Sequence, residues 1–288
     1  MNVEKSAART LRFAPSGPVP LRVNVPVGTV EVFAEAGISQ GSVTLEALGD
    51  DPAVGRTIDR ALLSWDERQE TLAVDVPDLD DNAAAVGGVT VIGGVTIGSV
   101  SNGATLTQIV GSVMDGVVID GSSVTVMGGT SARRGVRVVV RLPEGSTVAA
   151  RTRTASVSAV GEYAGVRVRT SSGSVTIGDA DQVNVETVSG DLWVGAVGVL
   201  EAVTVSGDVR AWHATYANVR TTSGDVLLSE IEDRVRVHSV SGDVDVSDCR
   251  GRAEITTVSG DARLRARRPE DATVQSVSGV ARVSAAPQ

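Results

Sequence analysis

The chain has almost no aromatic side chains: three Trp, two Tyr and two Phe in 288 residues. A core without large rings must be filled by Val, Ala, Leu and Ile, and a long surface of stacking rings for sugars or bases is excluded. Lysine occurs once, as Lys5, against 25 arginines. The only histidines, His213 and His238, lie 25 residues apart and match no zinc-ligand spacing. The single cysteine, Cys249, excludes an internal disulfide framework and fits a reducing compartment. No apolar run reaches the length of about 18 residues that a membrane span needs. The first residues lack the basic start and apolar stretch of a secretory signal, so a cytoplasmic protein is expected. Also missing are a Gly-x-Ser-x-Gly elbow, a phosphate loop ending in Gly-Lys, and a Gly-x-Gly-x-x-Gly turn after a strand. No catalytic residue, cofactor or metal is expected from motifs.

What is abundant is a repeat. In the last 120 residues a Ser-Gly pair returns seven times, and its glycines are Gly173, Gly190, Gly207, Gly224, Gly242, Gly260 and Gly279. The steps are 17 to 19 residues, and five of the pairs continue with Asp: Asp191, Asp208, Asp225, Asp243 and Asp261. A fixed period of this length means that one small unit is stacked on itself. Apolar residues stand four and six positions before each Ser and three and five after it, with polar residues between them. Val183-Asn184-Val185 and Leu192-Trp193-Val194 are examples. Period two marks strands with one buried face. Gly supplies turn conformations that other residues reach only with strain, and Asp bonds turn backbone.

No helical pattern of useful length fits between these strands, and one coil cannot bury its own apolar face. The expectation is an all-β chain: a β-solenoid of 17–19-residue coils with a small β-rich N-terminal cap. Thr154-Ala155-Ser156 reads as a degenerate first turn. Eight coils at the strand spacing make a rod on the order of 40 Å long. A β-sandwich is the alternative, because regularly spaced short strands also suggest one.

Three segments follow from composition. Residues 1–82 carry 14 acids and 7 bases, hence most of the net charge of −9, and read as strands plus a helix starting at Asp51-Pro52. This is the expected capping unit, since an open solenoid end exposes unpaired strand edges. Residues 83–131 hold 11 Gly, 11 Val and only two charges, Asp115 and Asp120. They read as extra short β-coils, a mobile insertion, or a self-associating segment in which Thr107-Gln108-Ile109-Val110-Gly111 loosely resembles an amyloid signalling core. Residues 132–288 are the repeat domain, with 19 arginines balancing 19 acids.

Residues 136–141 alternate Val with Arg or Val and run into Leu142-Pro143-Glu144-Gly145, echoed by Val25-Pro26-Val27-Gly28. A strand ending in this way, followed by a series of Ser-Gly-Asp turns, resembles the bacterial "putative-adhesin" family of β-strand repeats, a domain family of unknown function. The resemblance covers about 20–82 and 135–285. It implies a β-solenoid, no established catalytic residues, and, by its label, display at a cell surface.

The Asp column could form a cation ladder, because neighbouring carboxylates repel; the plainer reading is a turn-forming Asp bonded to backbone. The column Thr187, Thr204, Thr221, Ser239, Thr257 and Ser276 reads as a hydroxyl ladder. Trp193, Trp212 and Tyr216 form a possible surface patch. Arg263, Arg265, Arg267 and Arg268, and Arg133 with Arg134, read as solvated faces, and nucleic-acid binding is not expected. The preferred function is a non-enzymatic structural or protein-interaction module with an unknown protein partner. Homo-oligomerisation through the C-terminal coil is the expected mode of assembly. The alternatives are a β-helix enzyme acting on a polysaccharide and a scaffold assembling through the Gly-rich insertion.

Overall fold

The computed structural model describes residues 8–49, 51–79 and 134–285, together with four short strands between the last two stretches. The chain is a β-solenoid of about eight coils. The repeats are carried by long bent strands: β13 (Ser156–Arg169), β14 (Val175–Glu186), β15 (Leu192–Val203), β16 (Val209–Thr221) and β17 (Val226–Ser241). Each pairs in parallel with the next, along both its first and its second half. After β17 each coil divides into two strands. These are β18 (Val244–Cys249) and β19 (Arg252–Ser259), then β20 (Ala262–Ala266) and β21 (Ala272–Ser278), with β22 (Ala281–Ala285) last. A sandwich would require mostly antiparallel neighbours; here every pairing from β13 onward is parallel.

The alternation in the sequence decides which side chains point inward. In β14 these are Val175, Ile177, Ala180, Val183 and Val185, and their register partners in β15 are Leu192, Val194, Val197, Leu200 and Ala202. Every one of these is buried. Sizes compensate within coils: the Leu-rich coil of β15 is followed by β16, whose inward positions are Val209, Ala211, Ala214, Ala217 and Val219. The space inside so short a coil is narrow, so its walls meet across small and branched side chains, which close-pack without voids. That is the physical reason for the shortage of rings.

The lengthening of the period from 17 to 18 residues is absorbed at a corner. Between β16 and β17 the register shifts after Ala214, so that Glu232 and Asp233 stand where the preceding coil has only Thr215. A 3-10 turn at Pro269–Asp271 occupies the equivalent corner of the last full coil.

The N-terminal strands belong to the same sheet. They are β1 (Ala8–Phe13), β2 (Pro20–Val25), β3 (Gly28–Glu35), β4 (Gly41–Leu48), β5 (Leu62–Asp66) and β6 (Thr71–Asp75). The strands β11 (Gly135–Pro143) and β12 (Ser146–Thr152) interleave with them. β3 lies between β11 and β13, and β2 between β6 and β12, all in parallel. β4 pairs antiparallel with both β1 and β11, and β5 with β6. The helix α1 (Pro52–Arg60) begins at Asp51, whose carboxylate accepts from the Ala53 N–H (2.8 Å), and Pro52 opens its first turn. Its Val54 and Ile58 are buried in the common core. Phe13 stacks on Trp65 at 4.6 Å, joining β1 to β5.

Within 83–131 the strands β7 (Val89–Ile92) and β8 (Val95–Gly98) form one antiparallel pair, and β9 (Gly116–Asp120) and β10 (Ser123–Met127) another. Each pair is a sheet of its own. The segment 107–111 lies outside the described residues, as do Arg133 and residues 286–288.

Candidate functional site

The turn column is a set of hydrogen-bond ladders running along one edge. In the 17-residue coils the N–H of Gly190 donates to Thr187 Oγ1 (3.0 Å), that of Gly207 to Thr204 Oγ1 (3.0 Å) and that of Gly224 to Thr221 Oγ1 (3.1 Å). Gly173 and Thr170 repeat the contact one coil earlier at 3.0 Å. The Ser hydroxyls reach the coil before them: Ser206 donates to the Val188 carbonyl and Ser223 to the Val205 carbonyl, both at 3.2 Å. The Asp carboxylates reach the coil after them. Asp191 Oδ1 accepts from the Asp208 N–H (3.0 Å), Asp208 from Asp225 (3.0 Å), Asp225 from Asp243 (2.8 Å), Asp243 from Asp261 (2.9 Å) and Asp261 from Val280 (3.0 Å).

This supplies a reason for every letter of Thr-x-Ser-Gly-Asp. Thr and Ser occupy turn donors and acceptors, and Asp ties one coil to the next. Gly is needed because successive turns approach so closely that a Cβ at Gly207 would lie far inside van der Waals contact of the Gly190 carbonyl oxygen. Where the period reaches 18, the corner changes. Gly242 (φ +133°) and Gly260 (φ +141°) enter a region that other residues avoid, and the buried hydroxyls of Ser239 and Thr257 have no hydrogen-bond partner among the described residues.

The Asp column thus holds backbone N–H groups. Among the described residues no cluster of three or more His, Cys, Asp or Glu side chains could hold a metal ion. Trp193 and Trp212 are exposed, while Tyr216 is half-buried, and no ring contact joins the three among the described residues. His213 faces Glu230 (3.6 Å) and Glu232 (3.8 Å), which Arg250 also approaches. Two members of the C-terminal arginine cluster are ion-paired: Arg263 with Asp261 (2.8 Å) and Arg267 with Asp248 (2.9 Å). Arg134 is paired with Asp51 (2.7 Å). Hydrogen bonding to Arg267 holds the Asp248 carboxyl below its ordinary range.

Two buried groups have perturbed protonation. Tyr163 stands in the corner column otherwise filled by residues such as Ala180 and Val197, and burial raises its phenol. Its hydroxyl lies 2.9 Å from the Val32 carbonyl and 3.1 Å from the Val160 carbonyl, so its one proton is donated to either or shared between them, linking the N-terminal strands to the repeats. Burial likewise raises the Cys249 thiol.

A feature that sequence reasoning did not find is a groove of about 520 Å³ on the outer face of β6, β2, β12 and β13. Its lining includes Arg22, Arg151, Arg167, Arg169, Ala149 and Asp75. Arg22 comes from a strand more than a hundred residues away in sequence, so no local cluster announces the site. The signal available was the alternation Arg151-Thr-Arg153 and Arg167-Val-Arg169 at near-repeat spacing.

Fold and surface together define a β-solenoid with hydrogen-bond ladders along one edge and charged residues on its outer faces. The chain belongs to the Toastrack DUF4097 family, whose model matches residues 115–287. Similar solved structures include a "putative adhesin" from Parabacteroides merdae, with 13% identity, TM-score 0.49, and coverage of 97% of this chain and 96% of the other. A "putative adhesin" from Parabacteroides distasonis is similar at 10% identity and TM-score 0.46 over 96% and 95% of the two chains. A "putative lipid binding protein" from the same species shows 9% identity and TM-score 0.40, with 97% of each chain covered. No curated protein matches the chain. No helix of the described residues is long and apolar enough to cross a membrane.

Proposed function

We propose that the protein is a non-enzymatic structural or interaction module, capped at its N-terminal end and associating through its C-terminal coil. The observation that carries this reading is the state of that coil. Every residue of β22 is exposed, and among the described residues the strand pairs only with β20, while β21 pairs only with β19. Val283 is exposed, whereas the matching inward residues of earlier coils, Leu228, Val246 and Leu264, are buried. An unpaired edge with uncovered apolar residues is a template for another strand, and a second copy of the coil presents complementary groups. At the other end, β1, β4, β5 and α1 lie over the first coils, which supports reading 1–82 as the cap.

The outer carboxylates also favour display over catalysis. Glu186 is bonded to Arg169 (2.9 Å), Glu201 accepts from Asn184 (2.8 Å), and Glu254 accepts from Arg236 (2.8 Å). A glycoside-cleaving groove needs two carboxylates facing a common gap. The lone buried thiol of Cys249 supports the cytoplasmic location, and recovery of the protein from the cell envelope on fractionation would overturn it.

Light scattering across a concentration series tests the association. The expected result is a mass rising above the monomer, and a return to the monomer in Val283→Lys. A constant monomer mass at the highest soluble concentration removes the interface.

A further inference from the structure

We infer that the arginine groove on the outer face of the first coils binds a phosphate monoester group. The register places Ala149 directly between Arg22 on β2 and Arg167 on β13, one side chain per coil across three coils. Arg151, two residues along β12, stands beside this row and opposite Arg169. Ala149 is the short floor over which its neighbours' guanidinium groups can meet. The volume of about 520 Å³ lies in the range of small-ligand sites.

Most of the positive charge gathered here has no counter-charge within the groove. Arg169 is engaged by Glu186 (2.9 Å), and the carboxylate of the lining, Asp75, accepts from Asn24 Nδ2 (2.7 Å). Arg22, Arg151 and Arg167 have no hydrogen-bond or ion partner among the described residues. Other outward arginines have a carboxylate on a neighbouring strand, as in Arg137 with Glu31 (2.8 Å), Arg141 with Glu35, and Arg236 with Glu254 (2.8 Å). Like charges on facing rungs of a sheet are destabilising, so the cluster costs stability in the free protein, on a chain whose net charge is −9. A bound anion removes that cost.

The count of groups selects the anion. Three guanidinium forks offer paired donors to oxygen, and arginine suits planar or tetrahedral oxyanions because its donors are fixed in a fork. A phosphate monoester brings a charge of about −2 and three acceptor oxygens, one for each free arginine. A single carboxylate brings one charge and two oxygens, which leaves one arginine unmatched. The phosphate can come from a soluble phosphate ester or from a lipid headgroup, and both meet the groove with the same three oxygens.

Isothermal titration of the full chain with inorganic phosphate and with glycerol phosphate forms the soluble arm of the test. Sedimentation with phosphatidylcholine vesicles, with and without phosphatidic acid, forms the lipid arm. Binding in the soluble arm identifies a soluble ester; binding confined to phosphatidic acid vesicles identifies the headgroup. Arg151→Gln and Arg167→Gln are each expected to weaken binding about tenfold or more, whereas Arg265→Gln, on a distant coil, leaves it unchanged. Melting supplies a second readout. Without phosphate, Arg151→Gln melts at or above the wild-type temperature because repulsion is relieved. With phosphate, the wild type gains stability and the variant does not. The inference is overturned if no probe binds, if the groove variants bind as the wild type does, or if chloride at matched ionic strength stabilises as well as phosphate.

Discussion

At the scale of single residues, the repeat is governed by how closely successive turns approach. The Gly207 site has no room for a methyl group against the Gly190 carbonyl, so Gly207→Ala must push two coils apart. We expect a loss of about 3 kcal/mol, in the upper range for overpacking, measured by chemical denaturation. Asp208→Ala removes one acceptor from the exposed N–H of Asp225, which water can replace; its expected cost is about 1 kcal/mol. The order of the two variants is the informative outcome: an Asp208→Ala loss exceeding that of Gly207→Ala would mean that the carboxylate ladder, not the close approach, sets the turn. Tyr163→Phe removes the one buried donor shared by the Val32 and Val160 carbonyls and is expected to cost about 1–3 kcal/mol, measured by chemical denaturation. Cys249, buried and with its thiol raised, is expected to resist thiol reagents in the folded protein at neutral pH and to react on unfolding.

At the scale of elements, the pair Asp248–Arg267 joins the corners of two C-terminal coils. The folded-state pKa of Asp248 is depressed by the Arg267 hydrogen bonds, with Arg250 contributing further attraction. A depressed carboxylate stabilises the fold above its unfolded value, near 3.8, and that contribution is lost as pH falls through the lower folded value. Asp248→Asn should therefore lower stability at neutral pH and flatten the acid limb of the stability curve below about pH 4. A parallel shift of the whole curve would show that the pair is not the titrating unit. For the segment 83–131 we propose an insertion outside the repeat core, because its described strands pair only among themselves. Replacing it by a short Gly-Ser linker is expected to keep one cooperative β-sheet melting transition; loss of that transition would place the segment in the core.

At the scale of the molecule, stability in a solenoid is nearly a sum over coils and their interfaces. The coils of β14 to β17 have partners on both sides, whereas β22 has one. Hydrogen exchange should accordingly be slowest in β14 to β17 and fastest in β21 and β22, and dimer formation should slow the last two selectively. Uniform protection along the axis would mean a single cooperative block.

Much of this was legible in the sequence because repetition amplifies weak signals. One Ser-Gly-Asp triplet means little, but the same triplet at the same phase, flanked by period-two valines, settles the coil length, the inward columns and the place of the turn. Composition added that the interior must be narrow, from the shortage of rings. What the sequence withheld depends on contacts between distant segments. The reach of each Asp to the following coil, instead of its own turn, needs the stacking distance. The place of the extra residue in the longer coils needs the register, which only pairing fixes. The insertion of β3 between β11 and β13, and the meeting of Arg22 with Arg151 and Arg167 around Ala149, come from strands more than a hundred residues apart. Local periodicity determines which face a side chain takes, because that is a property of one strand. Which side chains become neighbours is decided by the order in which strands stack, and that is a property of the whole chain.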